Sequence, residues 1–462
     1  MPFVDLYCAD DYASLYYTTN TPCGNVSGFD PEKPTIILLH PLFLDSTWLE
    51  HQFGDPRLNQ CYNLIAFDMR TCGRSECRPS GRHDSWVDAA DLAFCHQALH
   101  LPPCHILALE SLSINCALRF SVLFPELCLS LTLCNVPAPT ELKWILTAYD
   151  ELMHNWCHAE DLEAFEHVAK ESVAFIVGPT CDPDLKDELI AFWETNMPPR
   201  KRLRIAETLG VLMNRTPLKP EVYATITQPV LLIHGERNET CPKKYAEKLA
   251  SQLSNSEGGA VLYTVKGGSA TLSIVAGHAS IANQVFTKFL SRLPHQRSDL
   301  IPPRMQRADR MKIALSNLAD ITGDSSIASR DPLSSLSFCC LPPEVIQSQT
   351  DSLEQYRIGI REAFSPVGHD GKPVRKFSDK RAEHWFHGEE NGLSIAGTSF
   401  LPPERFKDSD RPEKPSGREP PGDNRVRRST FAPNSVDKHV IKGSMAKVVK
   451  TAPATPLQRL LA

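Results

Sequence analysis

The sequence predicts an α/β fold: a doubly wound, mostly parallel sheet with an inserted helical lid and a disordered C-terminal tail. Three observations carry this expectation. Short apolar runs alternate with amphipathic segments over residues 1–293, one interval inside that span lacks any strand-like run, and from 294 onward Pro, Ser and charged residues dominate.

The runs TIILLH (35–40), NLIAFD (63–68), HILAL (105–109), LSLTLCN (129–135), PVLLIHG (229–235) and AVLYTV (260–265) are rich in Val, Ile and Leu. Each is bounded by polar or turn residues, as strands buried on both faces should be. Segments between them, such as WVDAADLAFCHQALHL (86–101), repeat apolar residues at helical spacing. This alternation predicts parallel pairing. Residues 136–227 hold only helix-like stretches, among them DLEAFEHVAKESVAFIV and DELIAFWETN. They read as a lid over the strand ends, where such sheets bind ligands. The chain therefore divides into a core in two parts, 1–135 and 228–293, a lid at 136–227 and a mostly disordered tail at 294–462. In that tail, DSDRPEKPSGREPPGDNRVRRST cannot bury enough apolar surface to offset its ordering entropy. The pattern is compatible with two short helices near 303–320 and 344–363. LPPE occurs at 341–344 and again at 401–404, which reads as a chance repeat in a Pro-rich segment rather than a docking motif.

The formal charge is −6, with 49 Lys+Arg against 55 Asp+Glu, and the acidity is concentrated before residue 294. An acidic body argues against nucleic-acid binding, which needs clustered cations. The 15 cysteines are odd in number, scattered and free of any Cys-x-x-Cys pair, so neither a zinc site nor a redox motif is expected. The start, MPFVDLYCADDYASLYY, lacks the basic and apolar regions of a signal peptide, and no apolar stretch reaches the ~18 residues of a membrane span. A reduced, cytoplasmic protein without metal or organic cofactor is the expectation.

Chemistry concentrates at LALESLSINCALRF, residues 107–120. A strand, a sharp turn holding a serine and then a helix form a nucleophile elbow, in which the turn lifts the serine Oγ above the sheet. Small residues are wanted two places to either side; here those places hold Leu109 and Ser113.

With these residues in view, residues 1 to about 293 resemble the α/β-hydrolase family, in its lid-bearing branch. TIILLHP resembles the strand before the oxyanion loop, and LIAFDMRTCGRS the family turn, with Asp68, Arg70, Gly73 and Ser75 in place. SLSINCALRFSVLFPE is similar to the helix after the elbow, and Ala117, Leu118, Pro125 and Glu126 fix its register. PVLLIHGERNETCP resembles the segment that delivers the acid, and VAGHASIANQVFTKFL the one that delivers the histidine.

The resemblance implies Ser111 as nucleophile and His278 as base. It puts Asn238 at the acid position, with Glu239 as the neighbouring carboxylate and Glu236 and Glu141 as further alternatives. An amide there carries no charge to stabilise an imidazolium. The implied oxyanion donors are the backbone N–H groups of Leu42 and Leu112, with Pro41 replacing the family's glycine. Asp68 and Arg70 read as braces of their turn, Glu110 as a solvated charge, and His40 as a shaper of the oxyanion loop. The lid aromatics Trp144, Trp156, Phe165 and Trp193 read as core, with a substrate cavity as the alternative.

Together these features suggest a serine hydrolase acting on an ester, thioester or similar small acyl compound. Serine at the nucleophile place argues against the epoxide hydrolase and dehalogenase branches, which use a carboxylate. The alternative is a catalytically silent hydrolase-fold protein that binds a ligand or protein partner; Leu109, Pro41 and Asn238 support it. The tail could recruit that protein partner, and a third reading puts the function itself in the tail, with the body as a scaffold.

Overall fold

The computed structural model describes residues 2–178 and 181–379. An antiparallel hairpin, β1 (Phe3–Tyr7) and β2 (Tyr12–Thr19), opens the chain. The buried strands β3 (Thr35–Leu39) and β4 (Asn63–Phe67) follow, separated by the single-turn helices α1 (Glu50–Phe53) and α2 (Pro56–Asn59). After the two-residue β5 (Glu76–Cys77) come α3 (Ser85–Ala98), β6 (Cys104–Leu109), α4 (Leu112–Leu123) and β7 (Cys128–Cys134). The sheet order is β1-β2-β4-β3-β6-β7, continued by β8 (Val230–Gly235) and β9 (Val261–Val265), with β5 pairing β2. From β4 across to β9 every pairing is parallel. Each expected run is a strand to within a residue or two. The hairpin is additional, and it caps one sheet edge with antiparallel pairing.

Side chains alternate between two apolar layers. Ile37, Leu39, Ile106 and Leu133 face α3 and α4, whereas Ile36, Leu38, Leu107 and Leu109 lie in the other cluster with Ala282 and Phe286 of α11 (Ala276–Leu290). The carboxyl edge of β3 and β6 is thereby fixed, because each strand is gripped from both sides.

Between β7 and β8 the described residues form helices only: α5 (Lys143–Cys157), α6 (Leu162–Ile176), α7 (Pro183–Asn196), α8 (Arg202–Met213) and the single turn α9 (Pro220–Tyr223). α10 (Lys243–Gln252) connects β8 to β9. Among the described residues no helix is long and apolar enough to cross a membrane.

The expected disordered tail needs correction in its first part. Residues 294–372 belong to the same compact unit as the body. They include α12 (Arg307–Thr322), which buries Met311, Ala314, Leu315 and Leu318, and α13 (Pro343–Arg357). Leu336 and Cys339 pack on Val87 of α3. Averaged composition hides this, because one apolar stripe at helical spacing suffices to dock a helix. The first LPPE starts α13: Pro342 is its N-cap and Pro343 its first residue, a position that tolerates proline. The second LPPE and everything from 380 lie outside the described residues.

Two buried ionic clusters brace the turns above the sheet. Arg70 is 1% exposed and clasps Asp11 and Asp91 through four hydrogen bonds of 2.8–3.0 Å. His83 sits between Asp88 of α3 (2.8 Å) and Glu207 of α8 (3.1 Å). Burial disfavours the imidazolium, but the two carboxylates outweigh it and raise the pKa to about 10. A raised value stabilises the fold in full below the ordinary 6.5, and that contribution falls away as pH rises from there through about 10.

Replacing Arg70 by Met leaves Asp11 and Asp91 buried without a counter-charge. Urea denaturation should show a loss of about 3–5 kcal/mol. A loss below about 1 kcal/mol, typical of exposed pairs, would mean that the clasp does not hold the turn.

Candidate active site

β6 is buried along its whole length and ends in a sharp reversal into α4. Ser111 stands at that junction with φ 52° and ψ −118°, and Glu110 before it has φ 63°. Residues with a Cβ avoid this region at a cost of order 1–3 kcal/mol each, so neighbours must hold them there. The Glu110 N–H donates to the Cys134 carbonyl (3.1 Å), the Ser113 hydroxyl to the Glu110 carbonyl (2.8 Å), and the Ile114 N–H to the Ser111 carbonyl (3.2 Å). Leu109 sits in the strand and is absorbed by the apolar layer beneath, where a larger residue than glycine has room. Ser111 is half-buried at the start of α4 and supplies no side-chain cap to that helix.

The Glu110 side chain is not solvated, contrary to expectation. It is 7% exposed, with Oε1 accepting from the Leu272 N–H (2.8 Å) and Oε2 from the Ser273 hydroxyl (3.0 Å). It ties the elbow to the loop between β9 and α11. Burial pushes its carboxyl up to about 7, against the pull of both donors.

The loop after β3 borders the elbow, since β3 and β6 are paired neighbours. His40 is engaged at both nitrogens: Nε2 accepts from the Met69 N–H (3.1 Å) and Nδ1–H donates to the Pro41 carbonyl (2.9 Å). Both nitrogens are thereby committed to backbone groups, which fixes the ring's orientation. Asp68 accepts from the N–H groups of Ser46 and Arg74, each at 2.8 Å, and so joins two turns. Leu42 is half-buried, and Phe43 beside it has φ 59°. The Trp193 indole N–H of α7 donates to the Phe43 carbonyl (3.0 Å), so the lid sets this loop's shape. Leu112 is the first residue of α4, where an unpaired N–H and the helix dipole together favour an anion.

The remaining positions are less assembled. His278 lies in the first turn of α11, half-buried, with its Nδ1 shielded and without a hydrogen-bond partner. Burial lowers its pKa. Asn238 is buried, and its Oδ1 accepts from the Cys241 N–H (2.8 Å) and the Thr240 hydroxyl (3.0 Å), whereas its Nδ2 has no partner. Glu239 is exposed. Glu236 accepts from the Gly267 N–H (2.8 Å), and Glu141 pairs with buried Arg215. Among the described residues no group of three or more His, Cys, Asp or Glu is placed to hold a metal.

Within the lid, an apolar cavity of about 40 Å³ is lined by Tyr149, Trp156, Phe175, Trp193, Leu209 and other residues, with Phe43 at its wall. Two of the expected lid aromatics therefore line a cavity, whereas Phe165 is plain core, packed on Trp156. Sequence reasoning missed two contacts: Glu110 with the 272–273 loop, and Trp193 with the loop after β3. An indole N–H in an otherwise apolar helix face was the available signal for the second.

A family model described as the alpha/beta hydrolase fold matches residues 34–266. No curated protein matches the chain. Solved structures with this architecture include an esterase from Exiguobacterium antarcticum (15% identity, TM-score 0.50, 62% of this chain and 99% of that one). A thermophilic esterase from Thermogutta terrifontis matches with 15% identity and TM-score 0.50, over 63% and 99% of the chains. The enol-lactonase from Burkholderia xenovorans matches with 14% identity and TM-score 0.50, over 63% and 100%. At such identities these likenesses concern the fold alone.

Glu110 supplies a test of the elbow's electrostatics. Its folded pKa of about 7 lies above the ordinary 4.5, so the native state holds the proton longer and stability falls as pH rises between them. Glu110→Gln removes this titration. Relative to the parent, its stability should improve by about 3 kcal/mol between pH 4.5 and pH 8 in denaturation titrations. Parallel pH profiles would contradict the assignment.

Proposed function

The chain belongs to the alpha/beta hydrolase fold family, and from that premise we propose that it is a serine hydrolase acting on an ester, thioester or similar small acyl compound. The carrying observation is the backbone of Ser111, held at φ 52° and ψ −118° above the sheet edge. Strain of this kind persists only where surrounding structure enforces it, and it presents the hydroxyl to a ligand rather than to the core.

In this reading the Ser111 Oγ attacks the acyl carbon and its proton passes to His278. The carbonyl oxygen, now an anion, takes hydrogen bonds from the Leu112 and Leu42 N–H groups, helped by the α4 dipole. Collapse expels the alcohol or thiol, which collects the proton, and water then releases the acid by the same route. Asn238 or Glu239 would orient the imidazole, and neither restores a buried charge beside it, so turnover is slow. The apolar lid cavity beside Phe43 suits a small hydrocarbon acyl group. A cytoplasmic setting belongs to the same proposal.

A second reading, a silent hydrolase-fold protein binding a ligand or a protein partner, draws on Asn238. Its side-chain oxygen closes its own turn, as in an Asx turn, and is not directed at a ring.

Hydrolysis of p-nitrophenyl acetate and butyrate separates the two. The serine-hydrolase reading expects ester turnover that falls to the buffer rate in Ser111→Ala and by roughly 10²–10⁴ in His278→Ala. Turnover unchanged by Ser111→Ala, or absent from the folded parent, favours the silent reading.

A further inference from the structure

The lid helix α8 is held on two sides. Toward the core, Glu207 meets His83 (3.1 Å), the Thr208 hydroxyl meets that of Thr71 (2.7 Å), and the Arg204 guanidinium donates to the Gly73 carbonyl (3.0 Å). Its Ile205 and Leu209 close the apolar cavity. On another side lies α13, from the segment that follows the hydrolase core.

The contact between α8 and α13 is close and specific. A Cβ added at Gly210 of α8 would fall 2.4 Å from the Gln349 Oε1, so the helices meet where a side chain is missing. Gln349 donates its Nε2–H to the Gly81 carbonyl (3.0 Å), and a Cβ at Gly81 would lie 2.2 Å from the Thr350 Oγ1. α13 therefore rests on the core loop and on the lid at once. Arg202, 4% exposed, donates to the Tyr356 carbonyl (2.6 Å) and to the Ile358 carbonyl, which satisfies the C-terminal end of α13. The same guanidinium donates to the Cys157 carbonyl at the end of α5 (3.3 Å). The His158 ring stacks on Tyr356, with centroids 5.6 Å apart.

One buried arginine thus joins two lid helices to α13, and one buried glutamine joins α13 to the core. All four bonds are to backbone carbonyls, which in a buried setting cost more to leave unpaired than to keep.

We infer that α13 is a strap that locks the lid closed over the apolar cavity, and that an apolar ligand enters when α13 detaches. The lid then opens as a unit of lower stability than the sheet. Nothing in this depends on Ser111 being reactive.

The test uses the full chain with Gln349→Glu, which sets a carboxylate against the Gly81 carbonyl and loosens α13 while every residue of the lid and the core keeps its identity. Hydrogen–deuterium exchange read by mass spectrometry should show α13 and α8 exchanging at least roughly tenfold faster, with β3, β6 and β7 unchanged. Binding of the apolar dye 1-anilinonaphthalene-8-sulfonate should rise in parallel. Fast exchange in α13 with α8 at the parental rate overturns the inference, as does loss of protection across the sheet. If the variant does not fold, the parent chain in sub-denaturing urea decides. α13 and α8 opening together ahead of the sheet supports the strap, and α8 opening only with the sheet overturns it.

Discussion

The turn from β6 into α4 dictates the form of everything around it. Two successive residues, Glu110 and Ser111, are held at positive φ, a conformation that neither side chain favours. The turn survives because its supports come from four directions: β7 through the Cys134 carbonyl, α4 through Ser113, the loop before α11 through Glu110, and the apolar layer through Leu109. A parallel sheet with both faces covered is what brings those supports together, since the ends of neighbouring strands share one edge.

Buried charged side chains hold the turns and helices of this protein in place. The arginine clasp at Arg70, the imidazolium at His83, the Arg215–Glu141 pair and the Arg202 cap are all buried, and each joins segments distant in sequence. Such groups contribute less net stability than apolar packing would, but they tolerate only one geometry. The lid is therefore positioned by direction-specific bonds as well as by apolar contact, and the loop after β3 inherits its shape from Trp193.

The strands were legible because uninterrupted Val, Ile and Leu runs have few other uses in a chain of this polarity. The hairpin was not, because FVDLY and YASLYYTT mix polar and apolar residues and stand at a sheet edge where burial is incomplete. After 293 the two helices were legible from their spacing, but their docking on the body was obscured by Pro and Ser that build caps and turns there. At the site, the place of Ser111 in the turn between β6 and α4 was legible from the strand–serine–helix pattern and from the spacing to Pro125 and Glu126. The burial of Glu110 was not, because its acceptors' partners lie 162 and 163 residues away. Asn238 could be read as a substitution at the acid position, and Asn-Glu-Thr-Cys is also an ordinary turn sequence, so its second role was open to the same reading.

What separates a reactive serine from a strained relic is whether its hydroxyl can be acylated or phosphonylated. Incubation of the folded chain with a fluorophosphonate, followed by intact-mass and peptide mass spectrometry, asks this without assuming a substrate. A nucleophile at the elbow predicts one adduct per chain, located in the peptide that contains Ser111 and absent from Ser111→Ala. No adduct on folded protein, or an adduct at another residue, would contradict it.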